Sequence, residues 1–124
     1  MPYHFNDTQP IYLQIIRLIK LNIASGRWLP GERVPAVREL AVQFGVNPNT
    51  MQRSLSELER EGLLYSERTS GRFITKDANQ IQTIRDQMAQ EYILRFVKNM
   101  LELGIHPQQI VPMLEEEVEK HHEQ

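Results

Sequence analysis

Asn47, Asn49, Gln52 and Arg53 stand close together in the segment GVNPNTMQRSL. Amide and guanidinium side chains suit the edges of nucleic-acid bases, Asn or Gln pairing with adenine and Arg with guanine. Recognition is a better fit to this chain than catalysis. Without cysteine it has no thiol nucleophile, thiolate metal site or disulfide. There is no glycine-rich phosphate loop, and no Ser/His/Asp order suggests a nucleophile. Glu115, Glu116, Glu117 and Glu119 read as a solvated helix face. His121 and His122, being adjacent, point apart on a helix, and His4 and His106 read as surface or capping residues. The sequence therefore predicts no catalytic residue, metal site or cofactor.

A helical wheel sorts the candidate segment. With Met51 at zero, Leu55 falls at about +40° and Leu58 at about −20°, which makes a buried face. Asn49, Arg53, Ser56 and Arg60 lie within about 40° of the opposite side, and Gln52 lies at about +100°. Asn47 has the residue type and place of an N-cap, and Pro48 suits the first helical position. An ordinary solvated helix could carry the same polar face. The tight helix–Gly–Asn-Pro–helix sequence before it favours a helix presented to the major groove of DNA.

Other elements must hold this helix in place. The first helix is expected over residues 9–25, with Thr8 as N-cap, Pro10 in the first turn and an apolar stripe of Ile11, Ile15, Leu18, Ile19 and Ile23. Trp28 to Gly31 form a turn. A second helix spans about residues 36–44, with Leu40, Ala41 and Phe44 inward and Gly45 as its stop, and the third spans 48–61. The period then changes to 2. Residues 64–68 and 72–76 read as short strands joined by Thr69-Ser70-Gly71. The tip of this hairpin, with Ser70, Gly71 and Arg72, could reach a neighbouring groove. A long fourth helix is expected over residues 79–103, and a fifth starts at Pro107, with a kink or late start at Pro112. The fold class is mainly α with a small β-hairpin wing. It comprises a winged helix-turn-helix domain over residues 1–76 and a two-helix domain over 77–124.

Charge follows the same division. The 124 residues carry a net charge of −2, but residues 1–76 carry +3 and residues 77–124 carry −5. Such asymmetry suggests two units with different partners. The N-terminus shows no secretory pattern and no apolar run reaches the length of a membrane span, so the expected location is cytoplasmic, with no membrane partner.

Residues 10–75 resemble the DNA-binding domain of GntR-type bacterial transcription regulators. The resemblance is carried by PIYLQI at 10–15, LPGERVPAVRELAVQFGVNPNT at 29–50, LSELEREGLLY at 55–65 and GRFIT at 71–75. The NPNT form and the short two-helix tail look most like the YtrA-type subfamily. The resemblance implies that Arg38 contacts DNA, that Asn49, Thr50 and Gln52 occupy contact positions on the recognition helix, and that Gly71 sits at the wing tip. It also implies repression of a neighbouring ATP-driven transporter operon. The chain departs from many members at Ala36, Pro48 and Gln52 and in the wing Thr69-Ser70-Gly71-Arg72, which bears on base preference.

The expected protein is a sequence-specific regulator, a repressor binding double-stranded DNA at a pseudo-palindromic operator as a homodimer, and not an enzyme. The DNA-binding set is Arg38, Asn47, Asn49, Thr50, Gln52, Arg53, Ser70, Gly71 and Arg72. The dimer interface is expected on the stripe of Ile84, Met88, Tyr92, Phe96 and Met100 in the fourth helix, with Ile110 and Leu114 in the fifth. The alternative is a regulator switched by a small-molecule effector in the helical dimer region, a ligand for which the sequence supplies no site.

Overall fold

The computed structural model describes residues 4–122. In chain order these form α1 (Ile11–Ala24), α2 (Val37–Phe44), α3 (Pro48–Arg60), β1 (Leu64–Glu67), β2 (Gly71–Ile74), α4 (Ala78–Glu102) and α5 (Pro107–His122). The order is the one expected, with boundaries within two residues. No helix among the described residues is long and apolar enough to cross a membrane.

The start of α1 differs from expectation. Thr8 does not cap it, because its N–H and hydroxyl both turn to Asn6 Oδ1, at 3.0 and 2.6 Å. Pro10 takes the cap position without a side-chain bond. Gln14 ties the lead-in segment to the helix, its Nε2 donating to the carbonyls of Asn6 and Gln9 at 2.9 and 3.0 Å. Ile15, Ile16, Ile19 and Ile23 are buried. Ile11 is exposed and Leu18 half-buried. At 100° per residue, Ile16 falls beside Ile19 and Ile23, while Ile11 and Leu18 sit at the far margin of the stripe.

The link from α2 to α3 is short. Gly45 adopts a left-handed conformation at φ 72°, so that the N–H of Val46 reaches the Ala41 carbonyl at 2.9 Å. This closes α2 and turns the chain at once into α3. Asn47 then caps α3, its Oδ1 accepting the Asn49 N–H at 2.7 Å, and Pro48 fills the first position. The inward face of α3 is Met51, Ser54, Leu55 and Leu58. Ser54 was not expected there. Its buried hydroxyl is satisfied because it lies 3.1 Å from the Tyr12 carbonyl of α1 and 3.0 Å from the Thr50 carbonyl.

The hairpin pairs Leu64 with Ile74 and Glu67 with Gly71, with Arg68, Thr69 and Ser70 at the tip. Gly71 therefore opens β2 and is not the tip residue. The outer edge of β2 is covered by the segment after Trp28–Gly31. Gly31 N–H donates to the Ile74 carbonyl at 2.8 Å, Ile74 N–H to Glu32 at 2.9 Å, and Val34 N–H to Arg72 at 2.9 Å. An unpaired edge is thereby removed.

The chain divides into two compact units, Met1–Arg85 and Asp86–Gln124. The sequence placed the division at residue 77, before α4, whereas it falls inside that helix. Asp77 caps α4 through Oδ1, which accepts the N–H groups of Asn79 and Gln80 at 3.0 and 3.3 Å. Gln80 Nε2 donates to the Glu61 carbonyl at 2.7 Å, and Arg85 Nε to the Ala24 carbonyl at 2.9 Å. Ile81 and Ile84 are buried. The first two turns of α4 thus belong to the first unit. In the second unit, His106 Nδ1 accepts the Gln108 N–H at 3.2 Å and Gln109 Oε1 accepts the His106 N–H at 2.9 Å. This reciprocal cap fixes the start of α5 at Pro107, so the helix passes through Pro112 without a late start.

A chain ending at Arg85 is expected to fold cooperatively, and one ending at Lys76 to lose stability by several kcal/mol, since it loses two buried Ile side chains at roughly 1.5–3 kcal/mol each. Urea titrations of the two truncations check this; equal midpoints would refute it.

Candidate nucleic-acid interface

The burial of one α3 face decides what the other face offers. Asn49, Gln52 and Arg53 are exposed on the outward side, and Thr50 is half-buried at its margin. Asn47 is only in part open to a partner. Its Oδ1 is taken up by the cap, which leaves its amide N–H₂ and its exposed surface. Such a cap is worth about 1 kcal/mol to the helix. Gln52 is pre-set, because its Nε2 donates to Ser56 Oγ at 3.0 Å one turn later. Arg53 lies over the Tyr12 ring of α1, with Cζ 3.6 Å from the centroid. Arg38, in the first turn of α2, is exposed.

The wing is arranged differently from the expectation. Arg72 does not project from the tip. Its Nε donates to Glu59 Oε1 of α3 at 2.9 Å, and its side chain is only 20% exposed. Ser66 of β1 donates to the same carboxylate oxygen at 2.9 Å. The period of 2 alone did not show that residues 66 and 72 are cross-strand partners on the face towards Glu59. The exposed tip cation is Arg68, and Ser70 is exposed beside it. Gly71, at φ 105°, is in a region L side chains rarely adopt, and a Cβ there would lie 3.3 Å from Arg33 Nε. Arg33 and Arg68 both line a groove of about 430 Å³ between the start of α2 and the hairpin, with Ala36, Val37 and Gly71. Neither arginine was singled out from the sequence. Arg68 was legible as a hairpin residue, whereas Arg33 reaches the wing only through the backbone pairing of residues 31–34 with β2.

The stripe expected at a dimer interface is split by burial. Ile84, Met88 and Ile110 are each less than a tenth exposed within the single chain. Tyr92 and Leu114 are exposed, and Phe96 and Met100 half-buried. Ile93, Leu94, Leu101, Leu103, Val111, Met113 and Val118 are exposed as well. The exposed apolar surface of the second unit is thus wider than the single stripe read from the sequence.

The family profile for bacterial regulatory proteins of the gntR family matches residues 11–74. The uncharacterized HTH-type transcriptional regulator YhcF of Bacillus subtilis (strain 168) is 40% identical over 111 residues, covering 90% of this chain and 92% of that one. The HTH-type transcriptional repressor YtrA of the same organism is 42% identical over 72 residues, 58% of this chain and 55% of its own. A GntR family transcriptional regulator from Listeria monocytogenes superposes with a TM-score of 0.81 at 34% identity, covering 90% of this chain and 98% of that one. AraR(DBD) in complex with operator ORX1 superposes with a TM-score of 0.55 at 30% identity, over 60% of this chain and 95% of that one.

The wing brace carries a pH signature. The hydrogen bond from Arg72, then that from Ser66, holds the Glu59 carboxyl below the usual carboxylate range. A depressed folded-state value means that the carboxylate stabilises the fold fully above the ordinary range, and that this contribution fades as pH falls through the depressed value. Glu59→Gln is expected to cost about 1 kcal/mol or less at neutral pH, given the partial exposure of the pair. Denaturation of both proteins across pH should show the gap closing in acid. A gap that persists in acid would remove the carboxylate from the account.

Proposed function

The chain belongs to the gntR family of bacterial regulatory proteins, and on that premise we propose that it is a sequence-specific, DNA-binding transcription regulator, a repressor that acts as a homodimer on a pseudo-palindromic operator. The family and the relatives are transcription regulators, not enzymes. The observation that carries the reading is the outward face of α3. Asn49, Gln52 and Arg53 are exposed at the capped end of a helix that a tight turn joins to α2. In this geometry the second helix of the pair enters the major groove with its N-terminal residues against the bases. Arg38 on α2, Arg33 and Arg68 in the groove beside the hairpin, and Ser70 at its tip are exposed candidates for phosphate contact, which positions the protein without specifying sequence.

Support for the homodimer comes from the second unit, the proposed dimerisation domain. Among the described residues, nine of the thirteen exposed large hydrophobic side chains lie from Tyr92 onward, a concentration that calls for a cover. A two-fold pair would set two recognition helices about 34–36 Å apart, one turn of DNA, and a symmetric operator follows from a symmetric reader.

Selection of bound DNA from a random pool is expected to yield a pseudo-palindrome. Binding to it should weaken steeply with salt, by a slope of about 0.9 per phosphate contact. Gln52→Ala should lower affinity for the selected site by about 1–3 kcal/mol and relax preference at one position per half-site. A uniform loss on all sequences would contradict a base-reading role. Sedimentation at micromolar concentration should give twice the 14.6 kDa of the protomer, and a persistent monomer would refute the dimer.

A further inference from the structure

We propose that Tyr12 is a positioning residue for base recognition, its ring holding the Arg53 guanidinium in the orientation from which Arg53 reads a base. This deepens the reading given above and rests on it. The aromatic ring comes from α1, an element outside the helix-turn-helix pair, so the recognition surface of α3 is completed by a third helix.

Two independent contacts support the assignment. Arg53 Cζ lies 3.6 Å from the Tyr12 ring centroid, well inside the range of about 6 Å over which the ring quadrupole attracts a cation. The Tyr12 carbonyl accepts the Ser54 hydroxyl at 3.1 Å, so the backbones of α1 and α3 are fastened at the residue next to Arg53. Tyr12 itself is half-buried, and with Ile11, Asn49, Thr50 and Arg53 it lines a cleft of about 400 Å³ at the N-terminal end of α3.

The chemistry of the contact matters as much as its position. A ring attracts the cation without accepting a hydrogen bond from a fixed acceptor. Among the described residues the Arg53 guanidinium makes no hydrogen bond, in contrast to Arg72 and Arg60, whose donors are held by Glu59 and Glu57. The Arg53 fork is thus restrained in direction while its donors stay available for the two acceptors that guanine presents in the major groove. Ordering a free arginine on binding costs a factor of about two to ten in affinity, and a side chain already ordered avoids part of that loss.

The test uses the full-length chain and the operator recovered by selection from random DNA. Wild type, Tyr12→Phe, Tyr12→Leu, Arg53→Ala and the Tyr12→Leu/Arg53→Ala double variant are titrated against that site and its single-base variants. Tyr12→Leu should lose about two- to tenfold in affinity, and should flatten base preference at the same position that Arg53→Ala flattens. Tyr12→Phe, which keeps the ring, should match wild type, and Tyr12→Leu should cost nothing further once Arg53 is absent. An equal loss with and without Arg53, or no loss at all, would overturn the assignment while leaving the regulator reading intact. A chain that selects no sequence would overturn both. If Tyr12→Leu does not fold, the Arg53 side-chain proton resonances of the wild type decide. Ring-current upfield shifts in the free protein are expected, and unshifted resonances would refute the contact.

Discussion

Burial of Met51, Leu55 and Leu58 on one face of α3 is the constraint on which the rest depends. Each is at most 1% exposed, and each contributes about 1.5–3 kcal/mol by leaving water. Because side chains on a helix are set at fixed angles, seating this face leaves no freedom in where Asn49, Gln52 and Arg53 point. The Ser54 hydroxyl adds a directional constraint. It is buried, and it lies within reach of two carbonyls, that of Thr50 in its own helix and that of Tyr12 in α1. Apolar packing fixes which side of α3 faces inward, and one hydrogen bond ties its height to α1.

The charged residues of this region separate into two kinds. Arg72, Arg60 and Lys20 are paired with Glu59, Glu57 and Glu61, which hold the hairpin to α3, the surface of α3, and the C-terminal end of α3 to α1. Arg33, Arg38, Arg53 and Arg68 have no carboxylate pair of that kind among the described residues and are all exposed. Each internal pair removes one cation with one anion, so the net positive charge of the first 76 residues is unchanged by pairing, and the arginines outside these pairs are the ones open to a polyanion.

The division of α4 has a similar origin. A continuous helix can serve two units when its first turns satisfy one set of partners and its later turns another. Arg85 brings a cation to the carboxyl end of α1, where it favours the dipole and satisfies the Ala24 carbonyl. From residue 86 on, the exposed apolar side chains of α4 are distributed too widely around the helix for a single neighbour to cover.

Period, caps and breakers in the sequence determined the element order, the inward apolar residues of α3 and the capping role of Asn47. These follow from local geometry: helix spacing, the side-chain preferences of an N-cap, and the place of proline in a first turn. Tertiary structure alone decided that Thr8 serves the lead-in and not the cap, that Arg72 faces Glu59, that Arg68 is the tip cation, and that Tyr12 meets Arg53. Each of these depends on which residues distant in the chain become neighbours, and periodicity carries no information about such partners. The same limit explains Ile84, Met88 and Ile110, which a single helical stripe could not separate from Tyr92 and Leu114. A stripe shows which side chains avoid water, and only the packed chain shows which of them have already done so.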